Sequence, residues 1–377
     1  MILRLNSVGI GHDEPMRYVV SAHLKISEGT SVLDPLQQEG AVALLQNGLR
    51  SVEGIEGPDG MNVPLDDFVV AVYPGGAILK VFVDAPALEF AEASVHELCL
   101  ELLGHSELLS EWTIDECEVQ LHPLFAQKSL AAAEGPDAPP ADVEARRAEL
   151  ARPLLVPRPQ GPTAEETEQM RGRIQALAPA LTVFGPESFG CDDDDPSAAV
   201  EGAELAAGAL VYAIDLLVDE LFLDLHTLTK NRTTVDDFEG VFRVLDTLPE
   251  RFAHQYDTSF VRRFLVASIA MTARFTSGGS PMLSCVAEEL ALRLLLDQAR
   301  VTLDLYGLLD DRASSALDFF AGGVFEDLDH EWLYEDEPSG LGVALLDTAV
   351  DSWFAPFGRE RYVHPYTRQE GDGSGSE

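Results

Sequence analysis

Lysine is nearly missing from this 377-residue chain. Lys25, Lys80, Lys128 and Lys230 are the only four, and with arginine the basic total reaches 25 against 65 Asp and Glu. A formal net charge of −40 repels phosphate backbones and anionic lipid headgroups, which bind surfaces that supply cations. Direct nucleic-acid binding and attachment to a membrane surface are therefore disfavoured. Long apolar runs are also missing. The richest window, Ala206–Leu228, is broken by Asp215, Asp219, Glu220 and Asp224, which excludes a conventional spanning helix. Met1-Ile2-Leu3 leads into a charged, glycine-containing stretch rather than an apolar signal core, so the expected location is cytoplasmic. Cysteine is scarce too. Cys99, Cys117, Cys191 and Cys285 are scattered without CxxC spacing, and the first, second and fourth sit among apolar residues, as buried thiols do.

Reaction motifs are equally scarce. There is no Walker A loop, no G-x-S-x-G elbow and no paired Cys-His signature. Gly9-Ile10-Gly11 lacks the third glycine of a dinucleotide fingerprint. His96-Glu97 and His330-Glu331 are followed by Leu100 and Tyr334 where a zinc motif needs a second histidine. The carboxylate-rich stretch Phe320–Gly340 surrounds His330 with acids. Counted as a calcium loop from Asp327, it puts Trp332 at the turn glycine and Pro338 at the bidentate glutamate, and so fails. It reads as a solvated or partner-facing loop held by Phe325, Trp332 and Tyr334.

What the chain does have is apolar material: 46% hydrophobic residues and 18 Phe, enough for real cores, and a length that implies two domains. Residues 1–126 alternate strand and helix. Tyr18, Val20, Ala22, Leu24 and Ile26 share one face of a strand. Val42, Leu45, Leu49 and Val52 follow helical spacing, as do Leu88, Ala91, Val95, Leu98 and Leu102 with Gly104 as a stop. Two strands meet at Pro74-Gly75-Gly76. The order β-α-β-β-α-β resembles the ferredoxin-like arrangement, an antiparallel sheet with two helices on one face. Residues 127–162 form a Pro/Ala-rich linker, and a Thr163–Glu166 capping box opens the next helix. Residues 163–364 form an all-α helical bundle, with helices over 199–229, 235–248, 258–276, 282–307, 308–320 and 341–354. Residues 365–377 are a flexible tail. The fold class is α+β.

Two clusters are candidate sites. Asp215, Asp219 and His226 fall within about 40° on the helical wheel, a donor set that could hold a divalent metal in a bundle core. The alternative is a wet helix face, or one paired with Arg262 and Arg263. Those two arginines are also candidates for binding an anion. They belong to a basic run of seven residues from Lys230 to Arg274, expected to pair with the acidic first domain, where residues 1–126 carry five basic against 20 acidic side chains. Glu289, Arg293, Asp297, Arg300 and Asp304 read as an exposed face of alternating charge. The acidity itself admits three readings: solubility, a salt-adapted cytoplasm, or a surface for a basic partner. The functional expectation is a non-catalytic, acidic interaction or regulatory protein binding a protein partner of basic character, without a cofactor. The alternative is a metal-dependent or anion-binding enzyme with its site in the helical domain.

Overall fold

Strand-forming alternation from Met16 to Lys25 gives β1 (Met16–Lys25), which places Val20, Ala22 and Leu24 in the core. A computed structural model of the chain describes residues 16–27, 29–52, 54–56, 60, 62–120, 162–191, 197–231, 235, 242–248, 252, 255–325 and 353–357. The chain divides into two compact units, 1–159 and 160–377.

In the first unit, Asp34 caps α1 (Pro35–Arg50) by accepting from the Gln37 amide, while the Gln37 side chain accepts from the Asp34 amide. This reciprocal box satisfies two of the amides a helix start leaves open. β2 (Gly54–Glu56) is a three-residue edge strand, which no alternation pattern announces. β3 (Asn62–Tyr73) and β4 (Gly76–Ala85) form the hairpin expected at Pro74-Gly75. A Cβ on Gly76 would stand 2.0 Å from the Leu24 carbonyl, so only glycine lets this corner pass β1. α2 (Leu88–Gly104) ends at the expected glycine, and β5 (Thr113–Val119) closes the unit. The sheet order is β2-β3-β4-β1-β5 with every neighbouring pair antiparallel.

α1 and α2 bury Leu45, Leu49, Val95 and Leu98 against Val70, Val72, Leu79, Val81 and Val83 of the sheet. The other face is drawn from solvent as well: Val69, Ala71, Ile78 and Phe82 are buried. Lys80 on that face is 4% exposed and donates to Ser21 Oγ at 3.0 Å and Gln120 Oε1 at 2.7 Å. An ammonium at that depth needs such partners. β5 is the opposite edge, with exposed Asp115, Glu116 and Glu118. The Glu92 carboxylate reaches from α2 to accept from the Val119 amide at 2.8 Å.

The second unit is helical. The Thr163–Glu166 capping box opens α3 (Ala164–Leu177) as expected. α4 (Ser197–Asn231) is 35 residues long and buried on nearly every side, from Leu205 and Leu210 through Leu216 and Leu221 to Leu228. Apolar residues all round make it the central helix of the unit. It packs against α3, α5 (Thr258–Thr276), α6 (Val286–Leu305) and α7 (Asp311–Val324). A Cβ on Gly208 would lie 1.9 Å from the Ile174 carbonyl, so the α3–α4 crossing depends on that glycine. Phe184, Phe189, Phe275 and Phe320 form an aromatic cluster with centroids 4.9–5.0 Å apart, joining the turns after α3 to α5 and α7.

Three expectations change. The described part of the 235–248 helix is a 3-10 turn at Leu245–Thr247. The alternating-charge face of α6 is buried at its start, where Glu289 is fully enclosed and Arg293 lies 4.4 Å from the Phe325 ring centre. Arg274, expected to face the first domain, makes a two-pronged pair with Glu288 of its own unit at 2.7 and 2.9 Å. Among the described residues no helix is long and apolar enough to cross a membrane. The acidic stretch 326–340, most of the linker and the tail lie outside the described residues.

Candidate functional site

In the first unit, α1 and α2 run beside each other over the sheet, and their second halves leave a valley between them. One hollow of ≈ 910 Å³ is lined by Ser51, Val52, Ile55, Glu97, Leu98 and Leu100 among others. A second, of ≈ 250 Å³, is lined by Leu44, Gly48, Leu102, His105 and Leu109. Both include Ser51, Val52, Leu98 and Glu101, so they make one continuous groove.

The smaller hollow is mainly apolar, with Leu98 and Leu109 of the core beneath it, whereas the larger one is mainly polar. The walls are unusual, since Leu44 and Leu100 remain 41% and 46% exposed. Single exposed leucines are ordinary on protein surfaces; two of them flanking one open groove are less so. Glu97 and Glu101, one turn apart on α2 and both exposed, stand along the same groove. Among the described residues, the ion pairs of this unit are Arg17 with Asp66 and Asp84, His23 with Glu116, and Lys25 with Asp115. None compensates Glu97 or Glu101. Like charges at this spacing repel, and an incoming cation relieves the repulsion.

Among the described residues the groove holds no assembled nucleophile. Ser51 Oγ donates to the Gly48 carbonyl at 2.6 Å, and His105 Nδ1 donates to the Glu101 carbonyl at 2.6 Å. These bonds finish the helix ends. What the groove can do is receive apolar side chains beside positive charge.

In the second unit, α4 carries the sequence candidates for a metal. Asp215 is exposed, whereas Asp219 and His226 are half-buried. Among the described residues no group of three or more His, Cys, Asp or Glu side chains is spaced to hold a metal ion. Arg262 is exposed on α5, and the guanidinium of Arg263 lies over the Phe354 ring at 4.3 Å. The carboxylate that matters locally is Asp224, which sequence reading took only as an interruption of an apolar run. It is 2% exposed and accepts from the Arg243 amide at 2.8 Å, the Val244 amide at 3.0 Å and Tyr256 Oη at 2.6 Å. Burial pushes its pKa up while these three donors hold it back. Glu220, one turn earlier, is likewise raised by burial, with Arg243 opposing. A carboxylate so fully occupied ties the 242–248 turn and Tyr256 to α4.

Burial holds three of the four thiols in their neutral form. Cys99 and Cys117 are both pushed up to about 12, chiefly by burial, and Cys285 to about 11 for the same first reason. All four are free thiols.

No family model, no curated protein and no solved structure matches the chain.

Proposed function

We propose that this chain is a non-catalytic, strongly acidic interaction protein, and that the α1–α2 groove receives a segment of a protein partner carrying Lys or Arg beside apolar side chains. The single observation behind this reading is the groove itself: Leu44 and Leu100 stay in water beside Glu97 and Glu101, which form no ion pair among the described residues. Burying the leucines under a partner gains about 25 cal/mol per Å² of apolar surface. Cations on the same partner gain attraction, selectivity and faster encounter. The net charge of −40 acts in the same direction at long range.

The first unit is read as a ferredoxin-like module, supported by the sequence of sheet neighbours β3-β4-β1-β5 and by both helices lying on one face. That fold hosts many functions, so the functional reading rests on the groove. The second unit is read as a separate helical domain beyond a linker.

Peptide display tests the reading. Random peptides selected on the full chain are expected to be enriched in Lys, Arg and Leu. They should lose about tenfold in affinity on Leu100→Ser or Glu101→Lys, as anchors in a small interface do. Selected peptides that are acidic, or indifferent to both substitutions, would refute it. An enzyme in the second unit is the competing reading. A melting temperature that rises several degrees with Mn²⁺ or Zn²⁺ and loses the rise in Asp219→Ala would put that reading first.

A further inference from the structure

We infer that the occupant of the groove is an amphipathic α-helix, laid along the valley with its apolar stripe on Leu44 and Leu100 and its basic residues against Glu97 and Glu101. This rests on the preceding reading of the groove and adds the form of the partner.

The argument begins with backbone chemistry. The valley walls are two α-helices, whose amides and carbonyls are bonded within each helix along most of their length. They offer an extended peptide almost no main-chain donors or acceptors. A strand pressed between them would bury its own amides unpaired, at a cost of about 1–3 kcal/mol for each. A helix arrives with those groups already satisfied. The free edge of β2 could pair with a strand, but it is only three residues long.

Shape agrees. Leu36, Gly40, Leu44 and Gly48 follow the i, i+4 row of α1, and such rows are the ridges of helix packing. Two of those four positions are glycine, where Leu102 and Leu108 of the same unit already fill the space alongside, so the row presents its leucines: Leu36 is 82% and Leu44 41% exposed. A third helix packs its own apolar side chains against exposed leucines of that kind, as in other helix-in-groove recognition. The part of α1 that lines the valley runs from Leu44 to its end, about 10 Å of wall, which a helical segment of about four turns spans with room at both ends.

Charge decides between a foreign helix and a second copy of this chain. Self-association would bring two surfaces of a −40 molecule together, with Glu97 and Glu101 of each copy crowded against more of the same sign. Cations on a foreign helix remove that conflict.

The experiment uses the full chain and three synthetic peptides of about four helical turns. The first carries Leu at i, i+3, i+4 and i+7 with Lys elsewhere. The second has the same composition in strict alternation, and the third repeats the first with Glu replacing Lys. Fluorescence anisotropy should show the first binding at least about tenfold tighter than the second, a difference of about 1.4 kcal/mol. The third should not bind. Circular dichroism should show the first peptide gaining helix on binding. Its affinity should fall about tenfold with Leu100→Ser and with Glu97→Lys/Glu101→Lys together. The matched reversal Glu187→Lys/Glu204→Lys in the second unit should leave affinity within about twofold, the change that remote surface charge brings at physiological salt. Equal or tighter binding of the alternating peptide, still sensitive to the groove substitutions, would overturn the helix and leave the groove standing. Binding of either peptide that ignores the groove substitutions, or that falls equally with the remote reversal, would overturn both.

Discussion

Asp224 carries the largest local consequence of any single side chain described here. Replacing it with alanine leaves the Arg243 and Val244 amides and the Tyr256 hydroxyl without their acceptor. The expected loss is about 3 kcal/mol in urea unfolding, since each unmet buried donor costs about 1–3 kcal/mol and partial relaxation recovers some of it. Tyr256→Phe removes one donor and keeps the two amide bonds, so about 1 kcal/mol is expected. The thiols give a second test at this scale. With Cys99 and Cys117 pushed up to about 12 and Cys285 to about 11, the thiolate fraction at neutral pH is minute. Iodoacetamide should label these positions slowly in the native protein and rapidly in urea.

At the scale of elements, the α3–α4 crossing stands on Gly208. Gly208→Ala places a methyl group 1.9 Å from the Ile174 carbonyl. The helices must separate, and the better helix propensity of alanine, about 1 kcal/mol, offsets only part of the lost packing. A net loss of about 2 kcal/mol in denaturant unfolding is expected. Much at this scale was legible in the sequence. The turn at Pro74-Gly75, the stop at Gly104, the Thr163 capping box and the 258–276 helix all announce themselves through local chemistry. The Asp34 box uses the same chemistry and was there to be read. β2 was not, because three residues hold too little alternation to be seen. The candidate sites were harder. A helical wheel projects along the axis, so it brings Asp219 and His226 together while hiding a rise of about 10 Å between them. Asp224 resembles a defect in an apolar run because its donors come from a turn about twenty residues later and from Tyr256, 32 residues later. The groove leaves one trace in sequence: Leu44 and Leu100 are apolar residues lying off the buried stripes of their helices.

For the molecule as a whole, acidity sets the response to pH and salt. Glu220 and Asp224 have pKa values raised in the folded state, each chiefly by burial. The native chain therefore binds protons more tightly than the unfolded chain in the window just above the ordinary carboxylate range. Stability must rise as pH falls through that window and decline as pH climbs out of it. Exposed Glu166, lowered by its bonds to Thr163, acts oppositely, and only below the ordinary range. Relief of repulsion within a −40 chain adds to the acid-side gain. The melting temperature should be higher at about pH 5.5 than at pH 8, and moderate salt should raise the pH 8 value most. A melting temperature that is flat or falling on acidification would contradict this account.

The outer edge of β5 has a bearing on storage and crowding. Fibril growth recruits unpaired strand edges as templates. Here Glu92 occupies the Val119 amide, and exposed Glu118 meets any approaching strand with negative charge. Concentrated preparations near neutral pH should accordingly stay clear, and Glu92→Ala combined with Glu118→Ser, which frees the amide and removes the charge, should bring thioflavin-positive aggregates.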